Sequence, residues 1–184
     1  MPSVYINMIR DPIARFESFY YFSRFGNVKG GGGKAKLPEV QRLESVDQCV
    51  ERRRKECTQP VWQVIPYLCG QDHICQERGR PALEQAKRNV EQKFLFVGVL
   101  EELPLSLKIL EKLLPRYFNG AYDLSQADAS QKMKEETVTL QKQPASEKTR
   151  EFLMTETSLM YEYELYHFVV DRIRRIQHKY NIKV

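Results

Sequence analysis

Apolar positions along the chain fall into short continuous runs and longer periodic ones. Val4-Tyr5-Ile6-Asn7-Met8-Ile9, broken by a single Asn, reads as a buried strand because it is rich in β-branched and aromatic residues. Phe94-Leu95-Phe96-Val97-Gly98-Val99-Leu100 has the unbroken apolar character of a strand covered on both faces in a parallel sheet. The remaining apolar residues are spaced for helices. Ile13, Phe16 and Tyr20, with Phe19 beside them, predict a helix over residues 13–25. Asp11 suits its N-cap, and Pro12 fits a first helical position where a missing N–H costs nothing. Asp11, Arg15 and Ser18 fall on a different stripe of that helix. Leu83, Ala86 and Val90 predict a helix over 81–93, and Leu103, Leu107, Leu110 and Leu114 another. Residues 45–55 support a short helix, and a long helical region runs from Ser146 onward. Residues 125–146 are polar and read as a loop or lid. The order strand, helix, loops, helix, strand, helix predicts an α/β fold with a parallel sheet.

Composition narrows this picture only modestly. At 184 residues the chain holds one domain's worth of sequence, so a single domain over 1–184 is expected, with a sizeable core. A formal charge of +5 fits an acidic partner, whether nucleic acid, anionic polysaccharide or nucleotide, without choosing among them. No run approaches the roughly 18 apolar residues of a membrane span, and the N-terminus does not read as a signal peptide. The chain opens directly on what reads as a central strand. A complete α/β nucleotide-binding domain has a further strand and a phosphate loop before such an element, so the domain is expected to be N-terminally incomplete.

Candidate chemistry concentrates where the first strand meets the first helix. Arg10 stands at the strand's end and the helix's start, where backbone N–H groups and the helix dipole favour an anion and a guanidinium offers a bidentate phosphate contact. Ser18, two turns on, can add a hydroxyl. From spacing alone, an Arg10–Asp11 surface cluster that merely ties the turn is the commoner meaning of such a unit. Downstream, Lys29-Gly30-Gly31-Gly32-Gly33-Lys34-Ala35-Lys36 reads as a flexible basic loop, without the Gly-Lys-Ser/Thr ending of a phosphate loop. Arg52-Arg53-Arg54-Lys55 has the character of a solvated face. Glu101-Glu102 follows the second strand, where acidic residues in a first helical turn are ordinary dipole partners. Tyr161, Tyr163, Tyr166 and Phe168 have the spacing of a packed amphipathic helix rather than of a base-stacking set, and His167 among them reads as a packing residue. The four cysteines lack the spacing of a zinc site, and no His pair completes one, so no metal is expected. Of three possible disulfide pairings the local one is simplest; four reduced cysteines stand beside it as an equal alternative.

The stretch Tyr5-Ile6-Asn7-Met8-Ile9-Arg10-Asp11-Pro12-Ile13-Ala14-Arg15, continuing to Tyr20-Tyr21-Phe22-Ser23-Arg24-Phe25-Gly26, resembles the 3′-phosphate-binding element of the glycosaminoglycan 2-O-sulfotransferases. The resemblance extends through Ile65-Pro66-Tyr67-Leu68-Cys69-Gly70, Val97-Gly98-Val99-Leu100-Glu101-Glu102-Leu103 and Leu114-Pro115-Arg116-Tyr117-Phe118. It is strongest toward the uronyl (dermatan/chondroitin) branch, with the heparan sulfate branch next.

That resemblance implies a P-loop-like sulfotransferase fold and transfer of a sulfuryl group from 3′-phosphoadenosine 5′-phosphosulfate (PAPS) to the 2-hydroxyl of a uronic acid in a glycosaminoglycan. It assigns Arg10 and Ser18 to the 3′-phosphate of PAPS, and Thr137, with Thr139 behind it, to a segment that wraps the nucleotide. Lys29, Lys34 and Lys36 become candidate contacts to the sulfated chain by location. It favours disulfides Cys49–Cys57 and Cys69–Cys75, hence an oxidising lumen, that of the Golgi, with the full-length protein a type II membrane protein. The implied partner is an anionic polysaccharide and not nucleic acid, with a homo-oligomer possible. The family's 5′-phosphosulfate loop and catalytic His are expected upstream of residue 1, and none of His73, His167 or His178 matches that His. A truncated, non-catalytic nucleotide- or polysaccharide-binding relative is the alternative reading.

Overall fold

The computed structural model describes residues 4–33, 36–60 and 62–183. Its elements are β1 (Tyr5–Ile9), α1 (Pro12–Phe25), α2 (Glu39–Arg42), α3 (Val46–Glu51), α4 (Lys55–Thr58), α5 (Val64–Cys69) and α6 (Arg80–Gln92). There follow β2 (Phe94–Val99), α7 (Leu103–Leu113), α8 (Pro115–Phe118), α9 (Ala121–Gln126), α10 (Asp128–Glu136), α11 (Glu147–Thr155) and α12 (Leu159–Tyr180). The chain divides into two compact units, one comprising Met1–Asp11, Trp62–Ala127 and Tyr161–Val184, the other Pro12–Val61 and Asp128–Met160.

The first unit is built on a two-stranded parallel sheet in which Ile6, Asn7, Met8 and Ile9 lie opposite Phe96, Val97, Gly98 and Val99. β2 behaves as its apolar run predicts: Phe96 to Val99 are fully covered by Leu83, Ala86 and Val90 of α6, Leu105 and Ile109 of α7, and Leu165, Val169 and Ile173 of α12. Burial of these branched side chains, at about 25 cal/mol per Å² of apolar surface, is the main force holding the unit together. β1 does not behave as predicted. Ile9 is buried, but Tyr5 is 53% exposed and Met8 38%. The reason is its position: β1 pairs with β2 along one edge, and among the described residues no strand pairs with its other edge. Gly98 is required where the strands and α7 converge, since a Cβ there would lie 2.4 Å from Met8 Sδ and 2.9 Å from Ser106 Oγ. The Cys69–Cys75 disulfide ties the end of α5 to the turn after it. Buried Asn89 of α6 donates its side-chain amide to the carbonyls of Leu68 and Cys69. Glu162, also buried, accepts the backbone N–H groups of Gln63 and Val64 at 3.2 Å each.

In the second unit α1 buries Ile13, Phe16, Tyr20 and Tyr21, while Phe19 is 52% exposed and faces away from the core stripe. The predicted 45–55 helix is α3, shorter than expected. It opens on a capping box, Ser45 with Gln48, and ends before Arg53, whose φ of +52° leaves the helical region. The long C-terminal helix is interrupted at residues 156–158, where Thr157 donates to the Leu153 carbonyl and accepts the Leu159 N–H. The Cys49–Cys57 disulfide joins α3 to α4, so both pairs are the local ones.

One loop reading is corrected in this unit and another is filled in. Residues 125–146 contain a helix, α10, because Gln, Lys, Met and Glu favour helix even without an apolar face. The glycine-rich segment after α1 is a folded turn. Gly26 (φ +76°) sits so close to Gly31 that a Cβ would lie 2.3 Å from its carbonyl oxygen. Val28 and Lys29 donate their N–H groups to the carbonyls of Val138 and Glu136, and Leu140 returns one to Gly26.

The strand-end corner and the hydroxyl pair

Parallel strands gather their C-terminal ends at one edge, and the residues just beyond them have the greatest freedom to face a ligand. In the first unit those residues are Arg10 and Asp11 after β1, and Leu100–Glu102, a 3₁₀ turn, after β2. Register sets the pairing. Because Ile9 lies opposite Val99, Arg10 and Asp11 come beside Glu101. The Glu101 carboxylate stands 3.8 Å from Arg10 Nε, accepts the Asp11 N–H at 3.1 Å and accepts the Tyr166 hydroxyl at 3.3 Å. Tyr163, one turn earlier on α12, donates its hydroxyl to Asp11 Oδ2 at 2.8 Å. The rings of Tyr163, Tyr166 and His167 pack edge to face or tilted, 5.7–6.4 Å apart. Burial, and then the charge of Glu101, pushes the Tyr166 phenol up to about 12, so it remains a donor at neutral pH.

These contacts extend one sequence expectation and correct another. Glu101 lies in the first turn after β2 as expected, but it is also the acceptor that organises the Arg10 turn, while Glu102 pairs with Arg174. The Asp11 N–H is not an open anion donor, since Glu101 already holds it. What the corner presents is the Arg10 guanidinium, which Glu101 approaches most closely at Nε, at 3.8 Å, an ion-pair distance rather than a hydrogen bond. The Arg10 and Glu101 side chains are each 36% exposed, and such a pair contributes under about 1 kcal/mol to stability. Stability alone does not account for the arrangement.

In the second unit Ser18 Oγ and Thr139 Oγ1 lie 3.2 Å apart, with Thr139 bridged to Asn27 in an antiparallel pair. The turn after α1 and the segment after α10 thus meet at this hydroxyl pair. Thr137 is placed differently, exposed and donating its hydroxyl to the Lys134 carbonyl at the end of α10. Lys142 approaches Glu17 and the Ala14 carbonyl at 3.5 Å, and Lys29 pairs with Glu136. Lys36 is exposed, and Lys34 lies outside the described residues. The Arg52–Lys55 run is not simply a solvated face, because Arg52 and Arg54 both bind Glu44, a carboxylate only 2% exposed. His73 is 88% exposed beside Glu77, and His178 lies exposed in the last turn of α12.

Sequence reasoning missed Glu101, Tyr163 and Tyr166 as parts of the Arg10 corner. The available signal was positional: Glu101 directly follows a buried parallel strand, as Arg10 follows the other. Among the described residues no group of three or more His, Cys, Asp or Glu side chains is placed to hold a metal ion, and no helix is long and apolar enough to cross a membrane.

No protein-family model matches the chain. It is 38% identical over 185 residues to the uronyl 2-sulfotransferase of Homo sapiens, an alignment covering 98% of this chain and 45% of that protein. It is 34% identical to the heparan sulfate 2-O-sulfotransferase 1 of Xenopus laevis and 35% to that of Gallus gallus, in each case over 95% of this chain and 48% of the relative. These similarities, over 95–98% of the chain, support its kinship with the uronyl and heparan sulfate 2-O-sulfotransferases. The chain spans just under half the length of these relatives.

Proposed function

We propose that the chain is part of a glycosaminoglycan 2-O-sulfotransferase that takes PAPS as donor and a uronic acid 2-hydroxyl as acceptor, in dermatan, chondroitin or heparan sulfate. The observation that carries this reading is the 38% identity to uronyl 2-sulfotransferase across 98% of the chain. The two-stranded sheet is assigned to a P-loop-like sulfotransferase fold, and the two disulfides support residence in the Golgi lumen.

In such a transfer the sulfur–oxygen bond to the donor's phosphate breaks and a bond to the sugar oxygen forms. The hydroxyl proton passes to a base, and adenosine 3′,5′-bisphosphate leaves. Arg10 is assigned to the 3′-phosphate: its Nη edge offers two parallel donors, the geometry phosphate oxygens accept best. Ser18 and Thr139 are assigned to the donor as hydroxyl contacts. Thr137 stands behind them because its hydroxyl is already committed to a helix end. Lys29, Lys34 and Lys36 are assigned to the polyanion. No residue of the chain is assigned as the base, so the 184-residue chain by itself is expected to bind adenosine 3′,5′-bisphosphate without transferring sulfate. In calorimetry, Arg10→Ala is expected to weaken that binding by roughly 2–3 kcal/mol, the scale for losing a charged hydrogen-bond partner. Unchanged affinity would remove Arg10 from the site.

A further inference from the structure

Arg10 can grip a phosphate well only if its guanidinium is held at a fixed angle, and a free arginine side chain in water is not. A guanidinium has two usable sides: Nε with one Nη, and the outer edge carrying both Nη groups. A carboxylate across the outer edge would compete with a phosphate for the same donors. A carboxylate on the Nε side would orient the fork and leave the outer edge open. Glu101 comes nearest to the second kind: its closest approach to the guanidinium is to Nε, an ion-pair contact of 3.8 Å.

Glu101 is itself fixed. One oxygen takes the Asp11 N–H, which locks the carboxylate to the same turn that carries Arg10, and the other takes the Tyr166 hydroxyl from α12. Tyr163 clamps Asp11 from the same helix at 2.8 Å. Three side chains therefore converge on one two-residue turn, Glu101 and Tyr163 directly and Tyr166 through Glu101. The facing acids are Glu101, Asp11 and Glu102, and Arg174 neutralises the last of these.

We propose that Glu101 is a positioning residue for donor binding, holding the Arg10 guanidinium by its Nε side so that both Nη groups address the 3′-phosphate, with Tyr166 holding Glu101 in turn. This rests on the assignment of Arg10 to the 3′-phosphate. A positioning carboxylate makes binding tighter despite its negative charge. The half-exposed setting screens its repulsion of the phosphate, while the loss of arginine freedom is borne before the ligand arrives.

The test compares binding of adenosine 3′,5′-bisphosphate and of adenosine 5′-monophosphate, which lacks the 3′-phosphate, by calorimetry. The proteins are the 184-residue chain and its Arg10→Ala, Glu101→Gln, Tyr166→Phe and Arg10→Ala/Glu101→Gln variants. Glutamine keeps one carbonyl oxygen for the Asp11 N–H, places an amide NH2 beside the Tyr166 hydroxyl, which can accept from it, and removes the charge; equal melting temperatures check that the fold is preserved. Glu101→Gln is expected to weaken the bisphosphate about tenfold and leave the monophosphate unchanged. Tyr166→Phe should follow in the same direction by a smaller factor, and the double variant should bind like Arg10→Ala alone. Several results overturn the proposal while Arg10→Ala still shows its loss: bisphosphate affinity that Glu101→Gln leaves unchanged, tighter binding by that variant, which would make Glu101 a competitor, or an equal loss for both nucleotides. No loss in Arg10→Ala itself overturns the 3′-phosphate assignment beneath it.

Discussion

The two units use arginine in opposite ways. In the first, Arg10 meets Glu101 at 3.8 Å with both side chains 36% exposed, and its pairing is long. In the second, Arg24 is 1% exposed. It bonds Glu56 at 2.7 Å, donates to the Tyr20 carbonyl and lies 3.5 Å over the Tyr20 ring. Glu44 and Glu17 are likewise buried and each surrounded by two cations, Arg52 and Arg54 in one case, Lys142 and Arg150 in the other. A charge buried among partners in low dielectric is committed to the fold, because removing it leaves a buried partner uncompensated, at a cost of several kcal/mol. A half-exposed charge with one weak contact contributes little to the fold and keeps its donors for something else. Basic residues of similar appearance in the sequence thus separate into those committed to the fold and those that the proposed site can use.

The largest effect should come from the buried side of this contrast. Arg24→Ala removes the partner of Glu56 and the cation over Tyr20, and is expected to lower the unfolding free energy by about 3 kcal/mol. Arg10→Ala should change it by no more than about 0.5 kcal/mol. Urea titrations of the two variants measure both. A destabilisation by Arg10→Ala that approached the Arg24 value would collapse the distinction and return Arg10 to a turn-tying role.

Much of this architecture was legible because it is local. Pro12 at a helix start, Ile13, Phe16 and Tyr20 at helical spacing, and the unbroken run Phe96 to Val99 each carry their meaning within a few residues. Phe19 was misjudged because an aromatic beside the stripe looks like one on it. α10 was missed because an exposed helix needs no apolar period. The corner was not legible for a different reason. Glu101 reaches Arg10 through the register of two strands brought together across a long connection, and nothing near either residue encodes that register. The same holds for Glu44, whose burial turns two members of a basic run into ion-pair partners. The cysteines lay between these extremes: local pairing was the simplest reading, and family resemblance tipped it against reduced thiols.

A middle-sized effect separates the units by their covalent ties. Each disulfide closes a short loop, 8 residues apart in the second unit and 6 in the first. Loop-closure entropy assigns roughly 2 kcal/mol to each. Cys49→Ser/Cys57→Ser and Cys69→Ser/Cys75→Ser should therefore cost similar amounts. Non-reducing peptide mass mapping of the wild-type protein should find only the two local links. Free thiols at all four positions would remove the lumenal assignment with the disulfides.

The smallest effect tests whether buried pairing in the second unit is electrostatic in origin. The Arg54 bond above all, with Arg52 behind it, holds the Glu44 carboxyl below the ordinary glutamate value of 4.5. A carboxyl whose folded pKa is depressed adds stability that is present above its unfolded pKa and is lost as pH falls through the folded one. Glu44→Gln has no proton to gain at this position, so its stability should fall less steeply on acidification. The variant should be less stable than wild type near neutrality. The deficit stays below that of Arg24→Ala, because Arg52 and Arg54 are 49% and 38% exposed and can turn to water. The two curves should converge between about pH 5 and pH 3 in urea midpoints measured across that range. Curves that stay parallel down to the acid limit would mean that Glu44 serves the fold by shape and hydrogen bonding alone. The contrast with Arg10 would then rest on burial rather than on charge.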